Sequence, residues 1–167
     1  YIADGHHRSA AASRVAKRRD GGGGSGLFLS VLIPHDQVQI LAYNRAVRDL
    51  NGQSPEAFLA ALGQAFDIED SGQAKPGGKH EICLCLGGRW RTLRPKAGSI
   101  DPDDPIKQLD VSILQDQALA PLLGIDDPRT SKRIAFVGGI RGTGELEKLV
   151  DGGKFACAFS LSPTSIG

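Results

Sequence analysis

Apolar positions along the chain fall in short blocks separated by glycine, proline and acidic residues, a rhythm that predicts several short strands and four helices. Tyr1-Ile2-Ala3 reads as the end of a strand and Asp4-Gly5 as a turn. Ser9 to Arg19 reads as a helix, built on Ala10, Ala11, Ala12 and Ala16 and closed by basic residues that suit its negative end. Leu27 to Ile33 is continuously apolar apart from Ser30 and stops at Pro34, the pattern of a buried strand, and Val38 to Ala42 alternates like its hairpin partner. Ser54-Pro55 opens a second helix, with serine as cap and proline in the first position, and Phe58, Leu62 and Phe66 recur at spacing four. Asp67 to Gly78 reads as a polar loop. Glu81 to Leu86 and Arg89 to Arg94 flank Gly87-Gly88, a strong hairpin signal that puts Ile82, Leu84 and Leu86 on one face and Cys83 and Cys85 on the other. Pro95 to Pro105 is loop. Val111, Leu114, Ala118 and Leu122 mark a third helix ending at Gly124. Arg133 to Val137 and Phe155 to Leu161 read as strands on either side of a short helix, Thr143 to Val150. The fold class is therefore α+β: a mixed sheet of hairpins and single strands with covering helices, starting with a strand-turn-helix.

Composition narrows this picture. A chain of 167 residues suffices for one ordinary domain or two very small ones, and a domain of this size buries roughly 70% of its unfolded surface without disulfide or metal staples. Twenty basic against 19 acidic residues leave a net charge of +1, so no global field draws nucleic acid. Cys83, Cys85 and Cys157 form an odd set without a C-x-x-C, which argues against a disulfide framework and a zinc site and for a reducing, cytoplasmic setting. No apolar run reaches the ~18 residues of a membrane span. The chain lacks Met and begins in what reads as a strand, so we expect a C-terminal fragment of a longer protein forming one α+β domain over residues 1–167. Residues 20–26, D-G-G-G-G-S-G, read as a flexible or engineered linker.

The candidate chemistry concentrates at Asp4-Gly5-His6-His7-Arg8. Glycine at a turn into a helix lets a ligand approach the backbone closely, and the unpaired amides of the first helical turn favour an anion. Arg8 adds a planar donor fork for phosphate oxygens, and His6 and His7 add donors. His7 is the candidate acid or base, and Asp4 could orient a histidine or hold a divalent ion on a phosphate. A capped helix with surface histidines is the plain alternative. Tyr43-Asn44-Arg45 reads as following a strand, and Arg45 either reaches a phosphate or pairs with Asp49 or Asp110. The glycine-rich stretch Gly138 to Glu145 lacks G-K-[ST] and reads as a structural turn. Buried thiols are expected at Cys83 and Cys85, and Trp90 should pack beside Gly87-Gly88.

Tyr1 to Arg8 resembles the signature of the ParB/sulfiredoxin superfamily, whose members place Gly-x-x-Arg at a helix start. The whole chain resembles an uncharacterised bacterial ParB-like family, through Ile2 to Arg8, Ile40 to Arg45, Leu109 to Ser112 and Ser162 to Ser165. The resemblance implies nucleotide phosphates at Gly5, His6, His7 and Arg8, with Mg²⁺ near Asp4; beside it, the residues themselves offer Arg45 as a contact to a second phosphate or a carboxylate. It implies ATP, ADP or CTP as the cofactor, and it implies upstream strands carrying an acidic residue. The function expected from it is a nucleotide- or phosphate-binding protein, either a small-molecule kinase or a nucleotide hydrolase. The alternatives are a DNA-associated partition module, which the neutral charge and the missing helix-turn-helix disfavour, and a non-catalytic structural or interaction domain.

Overall fold

The computed structural model describes residues 2–164. The chain divides into two compact units, Tyr1–Gln39 and Ile40–Gly167.

The first unit is built around helix α1, His6–Arg18. The helix begins at His6 rather than Ser9 because Gly5 adopts a left-handed conformation, φ 82°, and turns the chain into it. Lys17 and Arg18 occupy the last turn. No residue of α1 is buried. No strand precedes it among the described residues, which corrects the expected strand-turn-helix start. Gly22–Gly24 and His35–Gln37 form short 3-10 turns. The largest departure from expectation flanks the second of these turns. Residues 27–33 and 38–42 are irregular rather than a buried hairpin, and Leu29 and Leu32 are 92% and 93% exposed. A strand needs a ladder partner to bury its face, and residues 27–33 have none among the described ones.

The second unit is a six-stranded open sheet in the order β2-β4-β3-β6-β1-β5. Its strands are β1 Tyr43–Val47, β2 Phe66–Glu69, β3 Ile82–Leu86, β4 Arg89–Pro95, β5 Ile134–Gly138 and β6 Cys157–Leu161. Every pairing is antiparallel, so the sheet is not mixed. Strands β3 and β4 form the hairpin expected from Gly87-Gly88, with Leu86 opposite Arg89 and both glycines at positive φ. Strand β2 lies inside the stretch read as polar loop, where Phe66-Asp67-Ile68-Glu69 alternates too briefly to stand out. All residues of β3 and β6 are buried, as central strands covered on both faces require.

One face packs under α2, Pro55–Ala65, and α3, Asp110–Leu114, the latter continuing as a π-helical turn, Gln115–Leu119. Ser54 caps α2 by accepting the Ala57 N–H at 3.2 Å. Phe58 and Leu62, one turn apart, meet Leu84, Phe159, Leu114 and Leu119 in this core. Full burial of such side chains contributes roughly 1.5–3 kcal/mol each. The other face, with Ala46, Cys83, Cys85 and Ala158, packs under α4, Thr143–Asp151, through Leu146 and Val150. Trp90 belongs to this layer and donates its indole N–H to Glu147 at 2.7 Å. Among the described residues no helix is long and apolar enough to cross a membrane.

Candidate functional site

Asp4, Gly5, His6, His7 and Arg8 come together in one exposed turn at the start of α1. The left-handed Gly5 places its own amide over the Asp4 side chain, and it donates to Asp4 Oδ1 at 2.7 Å. Arg8, one turn on, donates through Nη2 to Asp4 Oδ2 at 2.9 Å. Asp4 thus lies between a backbone amide and a guanidinium, the donor pair that also suits a phosphate. The pair is 74% exposed at Arg8 and 91% at Asp4, so it contributes at most about 1 kcal/mol and a stronger anion could displace it. No side chain caps the helix start, and its first turn holds no acidic residue. The carboxylate at the positive end of the helix dipole is that of Asp4, which lies outside the helix. The His6 and His7 rings meet edge to face, with centroids 5.7 Å apart. Each Asp4 oxygen accepts one hydrogen bond, so a magnesium ion would share this carboxylate with the Gly5 amide and Arg8 or displace them. Among the described residues no three His, Cys, Asp or Glu side chains gather as a metal site.

Arg45 lies within β1 rather than after a strand. Residues 43, 45 and 47 share a face, and Arg45 pairs across the ladder with Phe136. Its guanidinium sits 4.3 Å from the Phe136 ring centre and 5.1 Å from that of Tyr43, while the two rings stack 5.1 Å apart. It also donates to the Tyr43 carbonyl. Burial lowers its pKa, partly offset by the charge of Tyr43. Neither acidic partner weighed for it is used, because Asp49 pairs with Arg133 and Asp110 accepts the His80 N–H. Asn44, the middle of the trio, is buried and accepts the Leu161 N–H at 3.0 Å, a structural role.

The glycine-rich stretch is a packing turn. Gly139 donates to the Ala42 carbonyl at 2.7 Å, and a Cβ on it would stand 2.8 Å from that oxygen. The three cysteines are buried, and burial pushes Cys83 and Cys85 up to about 11 and Cys157 further up.

Sequence reasoning missed one cluster. Pro76 to Lys79, Gln108 to Val111 and Ser162 to Thr164 converge on a cavity of about 440 Å³. Two of these three stretches overlap segments singled out in the sequence, but nothing in their spacing shows that they meet.

With this geometry in place, the comparisons with known proteins are brief. Residues 1–112, about two-thirds of the chain, match the family described as a protein of unknown function, DUF1015. The chain belongs to this family. The match covers α1 and the sheet strands through β4, and it overturns the resemblance to the ParB/sulfiredoxin superfamily and to a ParB-like family. A partition role loses its support, and so does a nucleotide inferred from that superfamily. No curated protein and no solved structure matches the chain.

Proposed function

We propose that this DUF1015 chain binds the phosphate group of a small phosphorylated molecule at the start of α1. The observation that carries the reading is the engagement of Asp4 by the Gly5 amide and Arg8 Nη2 at a helix start with no side-chain cap. That arrangement gathers a backbone amide and a guanidinium on one anionic group, donors that a phosphate also uses. An incoming phosphate takes the place of the Asp4 carboxylate on Arg8 and adds the amides of His6 and His7. The freed Asp4 is then available to a magnesium ion riding on the phosphates, which typically uses one or two protein carboxylates. His7 stands at the same turn as the candidate proton carrier of a phosphoryl transfer or hydrolysis, chemistry that relies mainly on positioning and charge neutralisation. A nucleotide is one such phosphorylated molecule, and inorganic phosphate tests the shared group alone.

Isothermal titration with ATP, ADP, CTP and inorganic phosphate, each with and without Mg²⁺, tests the reading. It expects saturable binding by at least one ligand, weakened about tenfold or more by Arg8→Ala. Silence from all four in the folded protein refutes it.

A second reading, a non-catalytic interaction domain, draws on the exposed run 27–33. The run carries no charge and can pair antiparallel with a second copy of itself about Ser30, with Leu27 opposite Ile33. Sedimentation equilibrium showing a dimer that Leu29→Asp abolishes would favour this reading; a monomer at all concentrations would remove it.

A further inference from the structure

The cavity formed by Pro76 to Lys79, Gln108 to Val111 and Ser162 to Thr164 is tied together by hydrogen bonds between its walls. Lys79 Nζ donates to Gln108 Oε1 at 3.2 Å, and Ser162 Oγ donates to the Gly78 carbonyl at 2.8 Å. His80 donates its backbone N–H to Asp110 Oδ1 at 2.9 Å, and its ring nitrogen Nε2 lies 3.1 Å from the Gln108 carbonyl. His80 is held at φ 64°, a left-handed conformation uncommon for residues other than glycine. Asp110 and Gln108 hold it there from two directions, and backbone held in this way is a recurring mark of functional sites.

The charges lining the cavity are its distinctive feature. Lys79 and Asp110 face the same space, yet neither belongs to an ion pair among the described residues. Among the described residues, Lys79 donates to a neutral amide oxygen and to no other side chain. Asp110 Oδ1 takes a backbone amide, and no bond to its second oxygen is made among the described residues. Half-burial raises the pKa of its carboxyl, while the His80 amide and the charges of His80 and Lys79 pull the other way. Leu109, Val111 and Pro163 supply apolar wall between these groups. A plain anion in this space would meet the Asp110 carboxylate, and a plain cation would meet the Lys79 ammonium. A neutral polyol would place no charge against either group. A molecule bearing both charges satisfies both ends.

We infer that this cavity binds a small zwitterion of the free amino acid type, with Asp110 receiving its ammonium, Lys79 its carboxylate and the Ser162 and Thr164 hydroxyls its remaining polar atoms. The site is separate from the start of α1 and goes beyond the phosphate reading.

The experiment titrates the full chain with each of the proteinogenic α-amino acids, and with propylamine and propionate as half-molecules. Amide shifts of Lys79, His80, Asp110 and Ser162 and calorimetry provide the readouts. At least one amino acid is expected to saturate these shifts, and each half-molecule to bind about tenfold or more weakly. The exposed Lys79→Met should weaken that amino acid by a similar factor with an unchanged melting temperature, and Asp110→Asn should do likewise where it folds. Arg8→Ala should leave this binding untouched, which separates it from the phosphate site. No response to any amino acid, equal binding of a half-molecule, or undiminished binding by Lys79→Met would each overturn the inference.

Discussion

Gly139→Ala offers a quantitative check on how the glycine-rich turn after β5 is used. Gly139 extends the β1–β5 ladder by one step, donating to Ala42 at 2.7 Å. A methyl group there would stand 2.8 Å from the Ala42 oxygen, 2.9 Å from its nitrogen and 3.3 Å from its Cβ. Two of these neighbours are backbone atoms and cannot rotate away, so the two segments must part by about 0.5 Å. Forcing a methyl into a filled site costs about 1–3 kcal/mol. Weakening the hydrogen bond adds about 1 kcal/mol. The expected destabilisation is therefore about 2–4 kcal/mol. The neighbouring Gly138 is the internal control. Its φ is −61°, and a Cβ there meets nothing within 4 Å. Gly138→Ala should be neutral or stabilise by about 0.5 kcal/mol through the unfolded chain. The two single-methyl variants thus differ by about 3 kcal/mol, or about 1.5 M in urea midpoint at a typical slope of ~2 kcal/mol/M. Fluorescence of the lone, buried Trp90 reports the transition within the same unit. Equal midpoints for Gly139→Ala and Gly138→Ala would refute the close-approach argument and reopen this turn as a ligand loop.

Three further outcomes are expected. Asn44→Ala leaves the buried Leu161 amide without its acceptor and should lower stability by about 1–3 kcal/mol, measured by urea unfolding; a change within error would show that the bond is not needed. Cys83 and Cys85, raised to about 11, hold only about one thiolate in a thousand at pH 8, so alkylation should track unfolding; labelling of the native protein within minutes would contradict their burial. The hydrogen bond from Arg133 holds the Asp49 carboxyl below its ordinary range, so its contribution is complete above pH ~4 and is lost as pH falls through the depressed native value. The pair is partly exposed, which limits the effect to about 1 kcal/mol, and Asp49→Asn should flatten the acid limb of stability between pH 4 and 2. An unchanged acid limb would show the pair to be idle.

Elements whose stability is local were the readable ones. Ser54-Pro55 announces α2 through a cap that needs no distant partner, and Gly87-Gly88 announces the β3–β4 hairpin through a turn that only permissive residues adopt. The run 27–33 misled because apolarity marks a segment that could be buried, while a strand also needs a ladder partner that no local pattern supplies. Strand β2 escaped because four alternating residues, emerging directly from α2, resemble loop. At the candidate phosphate site, the turn and the helix start were legible in Gly5 and the alanines, whereas the clasp of Asp4 by Arg8 depends on side-chain conformation. Arg45 looked like a ligand contact because its partners are rings, Tyr43 beside it and Phe136 91 residues on, rather than acids. The cavity holding Lys79 and Asp110 joins three stretches that only the folded sheet brings together.

The most direct measurement is an amide-resolved titration of the chain with inorganic phosphate and ATP, with and without Mg²⁺. The account predicts saturable shifts confined to the amides of Gly5, His6, His7 and Arg8, and their disappearance in Arg8→Ala. Shifts elsewhere with these four amides unmoved, or no shifts in any arm, would contradict it.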